Sequence, residues 1–321
     1  MADRLRVTEL DFDTIKTNLK TFLKQQSEFQ DYDFEGSGLN ILLDILAYNT
    51  HYNAYYLNMV ANEAFLDTAL LRDSVVSHAK SFGYVPYSKR APVATIKFVA
   101  NSASSTSSTL TLPSGYSFLS NQIDGKAYNF VVTDEVTVTK ANSQFTFENL
   151  NIYEGQLVTY VFNHTENSNP KQIFTLPDTN IDTTTIKVAV SPSSSNTQTT
   201  TYTKVTDVLD VTANSAVYFL QEAREGDYQI YFGNDIVGKK LADGSVVSVT
   251  YLITNGDVAN KANNFVARST VSDSLSESIS NFIITPISGA AGGADRETVD
   301  EIKFGAPLQY ATQNRLVTKN D

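Results

Sequence analysis

The chain has 321 residues, 41% of them apolar, which is long enough for two domains and apolar enough for substantial cores. It contains no cysteine and no tryptophan, so disulfides and zinc-thiolate sites are excluded, while 17 Tyr and 18 Phe supply large amphipathic surface. A net charge of -11 argues against nonspecific binding to nucleic acid or an anionic membrane, both of which reward a basic face.

The start, Met1-Ala-Asp3-Arg4, carries charge where a signal peptide would have its apolar core. No apolar run approaches membrane-spanning length, so a soluble protein made in the cytoplasm is expected. From about Asp11 to Phe82 the chain reads as helical. Asp11 or Asp13 can cap a first helix in which Ile15, Leu19, Phe22 and Leu23 recur at helical spacing. Ser37 is the expected cap of a long second helix. One of its faces holds Leu39, Leu42, Leu43, Leu46 and Leu57, and another holds Ile41, Ile45, Tyr48, Tyr52, Tyr55 and Met59. Two apolar faces imply burial nearly all round. The helical part is short, so internal core and burial against a partner both stand as readings of the tyrosine face. A third helical segment, from about Asn62 through Ala79, is expected to stop where Gly83 offers a left-handed cap and Pro86 forbids continuation.

After Pro92 the period changes from 3.6 to 2. Ala94, Ile96, Phe98 and Ala100 alternate with their neighbours, as do Phe145/Phe147 and Ile186/Val188/Val190. Strand-like segments continue to about Thr285, separated by two Ser/Thr-rich stretches, 101–109 and 191–203, that suit loops. Asp243-Gly244 between Lys240-Leu241 and Val246-Val247 is a hairpin signal. An all-β middle domain is expected, with a sandwich as its simplest form. Beyond it, Gly289, Gly292 and Gly293 form a candidate hinge, followed by a helix opened by Asp295 or Thr298 and closed before Pro307. Thr318 with Asp321 resembles the start of one more helix, from which the chain is expected to be the N-terminal part of a longer protein.

Motifs for small-molecule chemistry fail on inspection. Gly233 to Lys240 nearly spells a phosphate-binding loop, but Lys240 stands where a hydroxyl must hold magnesium, and hairpin and strand rather than a helix are expected to follow. A glycine-containing β-turn fits better. Asp31-Tyr-Asp33-Phe-Glu35-Gly36 begins like a calcium loop, yet Leu42 occupies the position that needs a bidentate glutamate. His51, His78 and His164 have no metal-ligand spacing around them, and no serine sits in a nucleophile elbow. No catalytic, cofactor or metal residue is therefore assigned, and an enzyme is not expected.

Several stretches in order resemble the baseplate wedge proteins of T-even-like contractile-tailed bacteriophages, within the baseplate J-like family. They are Phe34-Glu-Gly36-Ser-Gly38-Leu39-Asn40 to Asn49, Phe65-Leu66 and Ser81-Phe-Gly83-Tyr84-Val-Pro86, then Leu112-Pro113-Ser-Gly115 to Phe118. Tyr231-Phe232-Gly233-Asn234 to Gly238, Tyr251 to Gly256, Gly292 to Pro307 and Gln313 to Asp321 complete the set. The resemblance implies an α+β chain. Residues 1–90 would be a helical bundle-forming domain, 91–285 an antiparallel all-β domain, and 286–321 a glycine hinge with the start of a J-like helical region. It implies a structural component of the virion tail baseplate, assembled in the host cytoplasm. Its partners would be a second copy of itself, a companion wedge subunit met in a helical core bundle, and neighbouring wedges in an inner ring around the tail hub. That ring would change shape at tail contraction. The expected partner interface is Leu39, Leu43, Leu46, Tyr48, Tyr52, Tyr55 and Met59, with no nucleic acid, membrane or cofactor. The competing reading is a β-rich adhesin or carbohydrate-binding module, motivated by the Ser/Thr-rich loops and abundant tyrosine.

Overall fold

The computed structural model describes residues 11–29, 34–101, 106–196, 198–206 and 210–312. The chain forms two compact units, one built from residues up to Tyr84 together with those from Thr298 onward, the other from Val85–Glu297. Asp31 and Asp33 of the calcium-like stretch, and the helix start expected at Thr318, lie outside the described residues.

The helical unit contains α1 (Phe12–Lys24), α2 (Leu39–Glu63), α3 (Arg72–Ser81) and α4 (Val299–Thr312). Asp11 caps α1, its carboxylate accepting a hydrogen bond from the Thr14 amide at 2.7 Å. Gly83 takes the expected left-handed conformation, with φ of +72°, just beyond α3. Ser37 does not cap α2, whose N-cap is Gly38 without a side-chain bond; the Ser37 hydroxyl donates to the Phe34 carbonyl instead. The third segment divides differently from the expectation, because α2 runs on to Glu63 and α3 begins only at Arg72. The Glu63 carboxylate accepts from the amides of Leu70 (2.8 Å) and Leu71, fixing the chain before α3.

Pro307 does not end α4. Thr298 and Glu301 form a capping box at its start, Glu301 accepting from the Thr298 amide at 2.7 Å and Thr298 accepting from the Glu301 amide at 3.3 Å. The helix then continues through Pro307 because Ile302 and Ala306, both fully buried, pack with Ala69, Val75, Val76 and Ala79 around α3. Pro307 is exposed, so water can satisfy the carbonyl that its missing N–H abandons.

Among the described residues the β unit has seventeen strands: β1 (Val93–Asn101), β2 (Thr109–Leu112), β3 (Ser117–Ser120), β4 (Asn129–Val131), β5 (Val136–Ala141), β6 (Gln144–Glu154), β7 (Gln156–Asn163), β8 (Ile173–Thr175), β9 (Ile181–Ser191), β10 (Thr200–Lys204), β11 (Val217–Glu222), β12 (Tyr228–Phe232), β13 (Val246–Ile253), β14 (Phe265–Ala267), β15 (Val271–Ser272), β16 (Ser278–Ile279) and β17 (Phe282–Ala291). One sheet runs β14-β3-β4-β6-β1-β17, with β2 and β5 attached through β6; a second runs β7-β13-β9-β10-β11-β12-β8; β15 and β16 form a small hairpin. Pairing is antiparallel except between β10 and β11.

The alternation read from the sequence is the alternation that packs. Ala94, Ile96, Phe98 and Ala100 are all fully buried, and Phe98 stands among Tyr116, Phe118, Phe147 and Phe282, with ring centroids 5.0–6.1 Å away. Each large sheet gathers its own hydrophobic core. A smaller cluster, Ala91, Val131 and Leu252, joins them. The Ser/Thr stretch 191–203 is not all loop: Thr200–Lys204 pairs with β9, because Tyr202 turns inward and threonine suits the pleat.

Two turns depart from or sharpen expectation. Asp243-Gly244 makes a turn closed by the Ser245 amide to the Ala242 carbonyl, but no hairpin, because the Leu241 backbone is held by the Gln172 side chain at 3.0 and 3.2 Å. Gly233 to Gly238 is a tight turn in which a Cβ on Gly233 would fall 2.1 Å from the Gly238 backbone. The segment after it leads to β13 rather than to a phosphate-cradling helix.

The expected domain boundary at residue 286 falls inside β17. Gly289 belongs to that strand, Gly292 follows it with φ of +82°, and Gly293 is wedged against Pro92 and the Gly256 carbonyl. Asn260 bonds both the amide and the carbonyl of Gly293, at 3.0 and 2.9 Å. The run thus starts inside an edge strand and is held at Gly293, while Gly292 between them has nothing within 4 Å of its Cβ position.

Candidate partner interface

The α2 helix has 25 residues, and between Asp44 and Glu63 its sequence has 18 consecutive residues without Asp, Glu, Lys or Arg. Such a helix needs cover. Within the chain α1 supplies part of it, running antiparallel: Lys16 pairs with Asp44 at 2.5 Å and Lys20 pairs with Glu35. Only Leu43, Ala47, Ala54 and Asn58 of α2 become buried, a single stripe. Asn58 satisfies its amide on the Ala54 carbonyl at 2.9 Å.

The rest of the helix remains open. Eleven large apolar or aromatic side chains of α2 are exposed: Ile41, Leu42, Ile45, Leu46, Tyr48, Tyr52, Tyr55, Tyr56, Leu57, Met59 and Val60. Burial nearly all round, as the two apolar faces implied, is not achieved among the described residues. Soluble monomers rarely leave a continuous patch of this kind uncovered.

Of the residues assigned to an interface by sequence, Leu46, Tyr48, Tyr52, Tyr55 and Met59 are exposed and Leu39 is half-buried. Leu43, at 2% exposure, is instead a core residue on the α1 side. The tyrosines are ordered along the helix at spacing four. The Tyr48 hydroxyl donates to that of Tyr52 at 3.0 Å, their rings lie 4.6 Å apart, and Tyr56 continues the row at 6.3 Å from Tyr52. The aromatic row thus presents flat faces and hydroxyls together, a composition enriched where proteins meet. Tyr56 and Val60 escaped the sequence reading because they fall between the two faces it drew. Their signal was the absence of charge across the whole turn.

No helix among the described residues is long and apolar enough to cross a membrane. The histidines are separate from one another: His78 contacts the Glu63 carbonyl at 2.9 Å, His51 lies against Tyr52, and His164 is buried beside Gln172. A contiguous, uncharged helical surface is what this unit offers to chemistry, and such a surface binds other apolar surfaces.

Residues 11–84 match the family model described as baseplate wedge protein gp6-like, helical domain. Over 337 aligned positions the chain is 31% identical to baseplate wedge protein gp6 of Enterobacteria phage T4, covering 97% of this chain and 48% of that relative. The chain thus spans about half the length of the curated relative it matches. Among solved structures, a chain of the anti-feeding prophage baseplate, determined by cryo-EM with 6-fold symmetry, aligns over 98% of this chain and 63% of its own length. That pair shares 14% identity at a TM-score of 0.33, too low to carry a point about the fold. The family match falls on the helices that carry the uncovered patch, and the sequence identity extends through the β unit. Residues 11–84 thus match a gp6-like helical domain, and over nearly all of its length this chain is similar to a baseplate wedge protein.

Proposed function

We propose that this chain is a structural element of a contractile phage tail baseplate, with α2 as the surface that joins it to its partners. In this reading Leu39, Leu46, Tyr48, Tyr52, Tyr55 and Met59, with Tyr56 and Val60 beside them, enter a helical bundle with a companion wedge subunit and a second copy of the chain. Repeated contacts between copies build the inner ring around the tail hub and carry the change of shape at tail contraction. The role is mechanical rather than catalytic.

The observation that carries the proposal is the exposed, uncharged face of α2 on the segment that the family model matches. Tyr52→Asp tests it. Tyr52 is 41% exposed, so the substitution leaves the folded chain nearly unchanged while placing a carboxylate in the centre of the aromatic row. Loss of its apolar burial at an interface, compounded by desolvation of the charge, should weaken association by about tenfold or more. Co-purification with the companion wedge subunit, with Tyr52→Phe as control, reads the effect. Undiminished capture by Tyr52→Asp would remove α2 from the interface.

A further inference from the structure

The main paths of the two large sheets end in β14 and β17 and in β7 and β8. Three of these ends are protected against a further strand. β8 and β14 have three residues each, and Ile173 of β8 gives both backbone groups to the Asn169 side chain, at 3.2 and 2.8 Å. β17 contains Pro286 and is bonded at Ala290 to the backbone of Lys261 and Ala262. β7 has none of these devices. It runs eight residues without proline or charge, pairs with β13 in unbroken register, and among the described residues no strand pairs with its other side. Tyr160 and Val161 in its middle are 42% and 52% exposed. A long, uncharged edge presents a row of backbone donors and acceptors that only another strand satisfies fully.

We infer that the free edge of β7 pairs antiparallel with β7 of a second copy of this chain, across a two-fold axis perpendicular to the sheet. Under that symmetry each sheet face looks the same way in both copies, so residues that share a face meet. Centring the axis on Tyr160 sets Val158 opposite Phe162, Thr159 opposite Val161, and Tyr160 opposite itself. Val158 and Phe162 lie on the side that packs into the core of this sheet, so the pairing extends that core across the axis. The neighbouring strand β13 is also without charge, so a chain of net charge -11 meets its copy here without local repulsion. A foreign strand would find no charge to be recognised by, whereas a second copy finds its own complement. The pairing adds a surface on the β unit to the structural role proposed above and uses no residue of α2.

The test uses the full chain carrying Tyr52→Asp and Tyr56→Asp, which silences the helical face so that failure of that proposal and of this one are distinguishable. Because the chain has no cysteine, a single Tyr160→Cys can cross-link only to its copy. Directly opposed residues of an antiparallel pair have Cα atoms about 4.5–5.5 Å apart, within disulfide reach. Mild oxidation should give mainly a covalent dimer, while Ser195→Cys on an exposed loop stays monomeric. Val161→Lys should weaken the dimer by about tenfold or more in sedimentation velocity without lowering the melting temperature. An equimolar mixture of Thr159→Cys and Val161→Cys chains reads the same register with Tyr160 intact. Cross-linking no greater than that of Ser195→Cys, in either format, overturns the pairing, as does unchanged association of Val161→Lys.

Discussion

Gly155→Ala probes the joint between the two sheets. The chain passes from β6 to β7, and so from one sheet to the other, through this single residue, whose φ is +126°. A Cβ there would lie 2.1 Å from the Ile253 carbonyl oxygen and 3.3 Å from Leu252 Cγ. The obstructing carbonyl has little freedom, because Leu252 and Ile253 are paired on one side with Leu157 and Gln156 and on the other with Asp182 and Ile181. Asn129 holds Gly155 in turn, its carbonyl accepting from the Gly155 amide and its side chain donating to the Gly155 carbonyl, both at 2.8 Å. Backbone strain of about 1–3 kcal/mol and overpacking of about 1–3 kcal/mol together give roughly 2–6 kcal/mol. For a unit of this size that corresponds to a fall in Tm of roughly 5–20 °C, measurable by circular dichroism melts. Gly115→Ala is the control, since Gly115 also has positive φ, +84°, but nothing lies within 4 Å of its Cβ position. It should show the strain alone, and equal falls for the two variants would refute the clash as the cause.

Three further outcomes are expected. Phe98→Ala removes a fully buried ring from the centre of an aromatic cluster and should destabilise the β unit by about 3–5 kcal/mol in urea unfolding; a change below about 1 kcal/mol would mean that the cluster collapses around the gap. Burial pushes the Glu63 carboxyl up, but bonds from the Leu70 amide, Ser74 and the Leu71 amide, with the charge of Lys303, outweigh it and leave the group below its ordinary value. A depressed carboxyl contributes stability that is present above its unfolded pKa and lost as pH falls through the folded value. Acid unfolding of the helical unit should therefore be shallower in Glu63→Gln, and parallel curves would contradict this. Burial pushes the Tyr218 phenol up to about 12, so the neutral form is favoured by folding and its contribution is lost as pH rises from about 10 through that value. Tyr218→Phe should resist alkaline unfolding better than the parent over that window, and equal loss would show that Tyr218 does not drive it.

What could be read in advance was local. The period-2 alternation of Ala94 to Ala100, the Asp11 cap and the left-handed Gly83 all follow from forces acting within a few residues, and each is present in the fold. What escaped was decided at a distance. Pro307 looked like a helix end because the cost of a proline is local, whereas the burial of Ile302 and Ala306 that offsets it comes from α3. Gly293 looked like part of a hinge because glycine is permissive, whereas Asn260, Pro92 and Gly256 turn its absence of a side chain into close packing. In the interface the residue types were legible but the orientation was not. Leu43 and Leu46 are alike in sequence, and only the side on which α1 packs makes one core and the other surface.

The packing of α4 on α3 also fixes an order of events during synthesis. Between Ser81 and Val299 lie 217 residues, so at roughly 5–20 residues per second the ribosome needs roughly 10–45 s to deliver the second half of that contact. During this interval Val75, Val76 and Ala79 have no α4 to cover them, while the whole β unit is made and can close its own cores. The helical unit is thus started before the β unit and finished after it. Its uncovered α3 face in the nascent chain is where a chaperone, or a premature encounter with another copy, would find its first apolar foothold.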